Sequence, residues 1–249
     1  MKAPNKLYIT ANHNKLIITL YYITITLVAC NLIACYLRNI LGYESAFTFI
    51  QKFYMDSEGN IPSFFSTFII LLSSFIFYLI AKHKKANNDI FYKHWFGLSI
   101  VFFILSCDEG FQLHELLSIP LNKLNPSGIF LFSWVIAGLF IIAIFTILYL
   151  RFFLSLSNTY KVKFSISAII FLSGAVVLEM YGGWYVQNYG RQYYIYPVLF
   201  TIEETLEIIG IIYLIDSLLD YIKNDIIKIV ITINDAKTYK FKSILEKSK

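Results

Sequence analysis

Six stretches of this chain are apolar for long enough to cross the hydrocarbon layer of a bilayer, and little sequence is left over to build anything else. A helix rises 1.5 Å per residue and needs about 20 mainly apolar residues to span it. With flanking charges and prolines taken as ends, the stretches cover about 16–37, 61–81, 94–117, 128–150, 164–186 and 196–221. Hydrophobic residues make up 57% of the 249 and charged residues only 15%, against roughly 25% charged in soluble domains. The expectation is an all-α, polytopic transmembrane helix bundle over 1–222, followed by a basic tail over 223–249.

Lys and Arg settle the expected orientation, because they are retained at the cytoplasmic ends of spans. Seventeen of the 21 fall in the N-terminal tail, the 82–93 loop, the 151–163 loop and the C-terminal tail; only Arg38, Lys52, Lys123 and Arg191 lie on the other side. Both termini are therefore expected in the cytoplasm, in a bacterial cytoplasmic (inner) membrane, with the loops around Asp56, Asn125 and Arg191 outside. The same placement explains the net charge of +5 without nucleic acid. Near the surface a basic tail gains about 1 kcal/mol per Lys from anionic lipid, so lipid is the expected partner. Cys30, Cys35 and Cys107 all sit in apolar runs, and no disulfide framework or C-x-x-C metal motif can be read from them. Leu27-Val28-Ala29-Cys30 and Leu32-Ile33-Ala34-Cys35 have the look of a lipoprotein signal, but the run is long enough to span, and an uncleaved first helix is expected.

Acidic residues inside the spans carry the functional signal. Asp108, Glu109 and Glu115, with His114, lie late in the third span; Glu179 lies in the fifth; Glu203, Glu204 and Glu207 lie in the sixth. A single acidic side chain at a helix centre costs roughly 2.5 to 3.5 kcal/mol. Depth is shared: the third and fifth spans run outward and the sixth runs inward, so all three place their acids in the outer half. At 100° per residue Asp108, Gln112 and Glu115 form one stripe, and Glu203, Glu207 and Gly210 another. Glu179 shares a stripe with Ala175, Gly182 and Gly183, small residues that let a neighbouring helix approach closely. Glu109, His114 and Glu204 lie off these stripes, and Gly110 is a place for a bend.

So many carboxylates at one depth repel one another unless metal ions, shared protons or water neutralise them. Carboxylates with one imidazole suit a divalent metal, with Fe, Mn, Zn, Mg and Ca all compatible, acting on a lipid or other membrane substrate; Asp108, Glu109, His114, Glu115, Glu179, Glu203, Glu204 and Glu207 are the candidate ligands. The alternatives are a proton- or cation-coupled transporter or channel component, and a non-enzymatic membrane scaffold. Mid-membrane breaks of the kind seen in broken-helix transporters are not evident in the sequence. Trp95, Trp184, Tyr185 and Tyr196 are expected in the interfacial aromatic belt.

The pattern Asp-Glu-x4-His-Glu late in one span, a lone Leu178-Glu179 in a later one and Glu-Glu-x2-Glu in the last resembles an uncharacterised group of bacterial polytopic membrane proteins. The resemblance extends over most of 41–221. It implies that the three motifs belong together, and it brings no activity or ligand with it.

Overall fold

A computed structural model describes residues 12–43, 48–57, 59–191 and 195–226. Among these residues the chain is helical throughout, with no strand. Helix α1 spans His13–Asn39, α2 Phe49–Phe53, α3 Ile61–Ala86, α4 Tyr92–Phe111, α5 Leu113–Leu121, α6 Trp134–Ser155, α7 Asn158–Leu172, α8 Glu179–Tyr189 and α9 Ile195–Tyr221. A π-helical turn, Ser173–Leu178, joins α7 to α8, and another, Ile222–Ile226, follows α9. Most of the tail expected over 223–249 lies outside the described residues.

Four helical stretches are long and apolar enough to cross a membrane: α1, α3, α6 and the continuous run Asn158–Tyr189. A fifth is added if α4 and the bent segment after it count as one span. This architecture is compatible with an integral membrane protein. α9 matches the others in length, with 27 residues, but it carries Glu203, Glu204, Glu207, Asp216 and Asp220.

Local sequence sets the helix ends. The Asn12 side chain accepts from Lys15 N at the start of α1. Asn60 and Ser63 form a reciprocal capping box at α3, with Pro62 in the first turn where its missing N–H costs nothing. The fourth apolar stretch becomes α-helical only at Trp134, because Gly128–Phe130 forms a 3-10 turn.

Helix α9 is the hub: it packs against α1, α3, α7, α8 and the π-turn between the last two. Ile208, Ile211, Ile212, Ile215 and Leu218 are all buried there. Helix association within lipid rests on close packing and hydrogen bonds between helices, and α9 shows both against α7. A Cβ on Gly210 would stand 2.7 Å from Phe171 N and 2.8 Å from Phe171 Cβ, while one on Gly174 would stand 2.6 Å from the Glu203 carbonyl oxygen. Across the same contact the Ser167 hydroxyl donates to the Gly210 carbonyl at 2.8 Å. Between α3 and α4 the Ser74 hydroxyl donates to Ser99 O (2.7 Å) and the Ser106 hydroxyl to Thr67 O (2.9 Å). Asn31, fully buried in α1, donates to Thr201 Oγ1 on α9 (2.8 Å) and accepts from Met55 N (2.9 Å).

Three aromatic residues expected in the interfacial belt are core residues instead. Trp95 is 1% exposed, edge-on to Phe152 with ring centroids 5.0 Å apart and tilted against Tyr221 at the same distance. Tyr185 and Tyr196 are also buried. Proximity to a span end does not say which way a ring points. α6 shows the opposite pattern: Phe140 and Ile147 are 68% and 75% exposed.

The α7–α9 contact makes a discriminating prediction. Gly210→Ala is expected to lower stability by about 1–3 kcal/mol, since the added carbon meets backbone. Gly97→Ala is expected to cost less, because only the hydroxyl end of Tyr149 stands in its way. Thermal unfolding in detergent, followed by circular dichroism, compares the two.

Candidate functional site

The third apolar stretch does not continue as one helix. Gln112 adopts the left-handed conformation (φ 56°, ψ 42°), uncommon for a residue other than glycine, and the chain beyond it turns by 80°. The bend comes two residues after Gly110. Asp108 secures it: its carbonyl accepts from Gln112 N at 2.7 Å, and its Oδ1 accepts from His114 N at 2.5 Å, capping the first turn of α5. Oδ2 of the same carboxylate lies 3.3 Å from His114 Nδ1. The turn swings the imidazole against the Trp134 indole, with ring centroids 5.2 Å apart.

From the other side, the π-turn over Ser173–Leu178 delivers Glu179. Such a turn closes i→i+5 hydrogen bonds and changes the direction of the side chains that follow; π-turns are frequent at functional sites. Gly174 within it lets the backbone settle on α9 beside Glu203 and Glu207. Glu179 Oε1 accepts from Trp134 Nε1–H at 2.9 Å, and the Glu179 and Glu203 carboxyl groups lie within interaction distance of each other. Glu207, about one turn further along α9, lies within electrostatic reach of Glu109, Glu179, His114 and Asp108.

The structure therefore brings Asp108, Glu109, His114, Glu179, Glu203 and Glu207 into one neighbourhood, all half-buried. Glu204 is also half-buried, and its charge acts on Glu203 beside it. Glu115 is exposed on α5, because the bend at Gln112 takes it off the stripe that a straight helix would share with Asp108. Among the described residues, no group of three or more His, Cys, Asp or Glu side chains is placed to hold a metal ion.

Sequence reasoning left out Trp134, the donor to Glu179, which reads as an ordinary aromatic at a helix start. It also left out two further acids of α9. Asp216 lies 2.7 Å from His13 Nε2, and Asp220 pairs with Lys163 and lies 3.8 Å from His13 Nδ1. These pairs tie α1 and α7 to the far end of α9, well separated from Glu207. At the end near Glu203, the Tyr196 hydroxyl donates to Asp56 Oδ1 at 2.7 Å. The Arg191 guanidinium sits 5.9 Å from the Tyr196 ring and 5.8 Å from that of Phe132. Arg191 acts on Asp56 and Tyr196.

Asp56 lies between α2 and α3. Burial pushes its carboxyl above the usual carboxylate range, partly offset by the Tyr196 hydrogen bond and the charges of Arg191 and Arg38. A raised folded-state pKa favours folding where the group is protonated, and that contribution is lost as pH rises through the folded-state value. Wild type is therefore expected to gain stability relative to Asp56→Asn as pH falls from 7 towards 4, measured by paired thermal melts.

The fold and the half-buried acidic neighbourhood define a class: an all-helical protein, built largely of helices apolar enough to span a membrane, with carboxyl groups gathered between them. Within that class the chain belongs to the family described as a domain of unknown function (DUF8692), whose model matches residues 20–221. Comparison with curated proteins and with solved structures gives no match.

Proposed function

We propose that this chain is an integral membrane protein whose Glu179–Glu203–Glu207 cluster holds and passes protons, as part of a proton- or cation-coupled transport device. The observation that carries the reading is the approach of the Glu179 and Glu203 carboxyl groups, from two different elements of the fold, to within interaction distance of each other, where a proton can be held between them. A shared proton also removes one negative charge from a neighbourhood where several carboxylates would otherwise repel. Trp134 N–H, fixed on Glu179, steadies the acceptor, and the Asp108–His114 pair supplies a second place for a proton within reach of Glu207.

In this reading the chain crosses the membrane six times, with α9 as the sixth span and both termini on the cytoplasmic side of a bacterial inner membrane. The cluster lies in the outer half, and the basic tail rests on anionic lipid.

Difference infrared spectroscopy on reconstituted protein tests the proposal. A protonated-carboxyl C=O band is expected in wild type and is expected to be lost in both Glu179→Gln and Glu203→Gln. Its absence from wild type would remove the proton reading. Metal content measured on the same preparations separates the metal alternative: a stoichiometric divalent ion that disappears in both variants would put a metal centre acting on a membrane substrate in its place.

A further inference from the structure

We infer that α5 is an interfacial helix, lying in the plane of the bilayer at its surface, with lipid headgroups and upper acyl chains as its partner. Three observations lead there. The first is direction: the segment from Leu113 leaves α4 at 80°, so if α4 runs across the bilayer, α5 rises along that axis by only about 0.3 Å per residue, against 1.5 Å for a spanning helix.

The second is the distribution of side chains around α5, at 100° per residue. One side faces the protein: His114 is half-buried, Ser118 is buried, and Leu121 is half-buried. The Ser133 hydroxyl reaches this side, donating to Asn122 Oδ1 at 2.7 Å. Turned roughly 100° from it, Leu113, Leu116 and Leu117 are exposed as a contiguous apolar flank, with Pro120 beside them. On the far side stands Glu115, also exposed, with exposed Ile119 one turn on. A broad apolar surface, one carboxylate near the start of the helix and a protein-facing edge let the helix lie in the headgroup and acyl boundary with Glu115 reaching water.

The third is continuity with the turns at either end. Phe111 before α5 and Leu124 after it are 75% and 70% exposed. Large exposed apolar side chains thus stand at both ends of the helix. On a helix lying along the bilayer, large exposed apolar side chains take the acyl chains as their contact.

This placement goes beyond the proton reading and does not depend on it. It puts the α4–α5 turn, with Asp108 and His114, at the bilayer surface.

Site-directed nitroxides at positions 113, 115, 116, 117 and 119 of the full chain in lipid vesicles, with Cys30, Cys35 and Cys107 replaced by Ala, test it. Relative collision rates with oxygen and with a water-soluble nickel chelate give each depth. Expected is a nearly level profile, with positions 113, 116 and 117 oxygen-accessible just below the headgroups and 115 nickel-accessible. A depth that changes steadily by about 1.5 Å per residue would make α5 part of a span and overturn the inference. Nickel accessibility at 116 and 117 equal to that at 115 would place the helix in water and overturn it equally. If the cysteine-free chain does not fold, photoactivatable lipids give the same reading on the native protein. A carbene near the headgroup should label 113–119, and one at the terminal methyl should not; the reverse pattern would overturn the inference.

Discussion

The contact on which the rest depends is the approach of α7 and its π-turn onto α9. At Gly210 and Gly174 the two backbones come closer than any side chain would permit. The Ser167 hydroxyl bonds across the gap to the carbonyl of Gly210. Without that approach Glu179 would have no route to Glu203, since one carboxyl comes from the end of the π-turn and the other from the middle of α9. Packing that needs the smallest residues and chemistry that needs the most polar ones are therefore two aspects of one interface. Van der Waals contact holds the helices together, and the acids occupy the space this contact brings into register.

Much of this was legible in the sequence. Six apolar runs announced the helices, and five of the six began or ended within a few residues of their expected ends. The stripes and spacing of the acids led to the expectation that Asp108, Glu179, Glu203 and Glu207 share one site, and the four lie in one neighbourhood of the fold. Small residues beside Glu179 announced a close neighbour, although the glycines that meet neighbouring backbone most closely are Gly174 and Gly210.

What escaped the sequence followed from local backbone geometry. A straight-helix projection assigns Glu115 to the same stripe as Asp108, and one left-handed residue, Gln112, undoes that assignment. Nothing in the composition of 110–115 marks Gln112 as the break, because the cause is a carboxylate cap from Asp108 to His114 N, visible only in three dimensions. The π-turn before Glu179 escaped as well: no residue of Ser173–Leu178 marks the widening, and the segment packs against α9. The burial of Trp95, Tyr185 and Tyr196 escaped because an aromatic near a span end can face either lipid or protein. Asp216 and Asp220 gained their meaning only from His13 and Lys163, which lie far away in sequence.

The central position of α9 bears on the order in which the bundle is made. Among the described residues, every α-helix that packs against α9 precedes it along the chain, so the helix that organises the interior is the last of them to be made. It is also the one least suited to enter lipid alone, since its carboxyl groups are costly to insert without partners. Until α9 is in place, Gly174, Ser167 and Asn31 are without the contacts that it gives them, so the interior of the bundle is completed last.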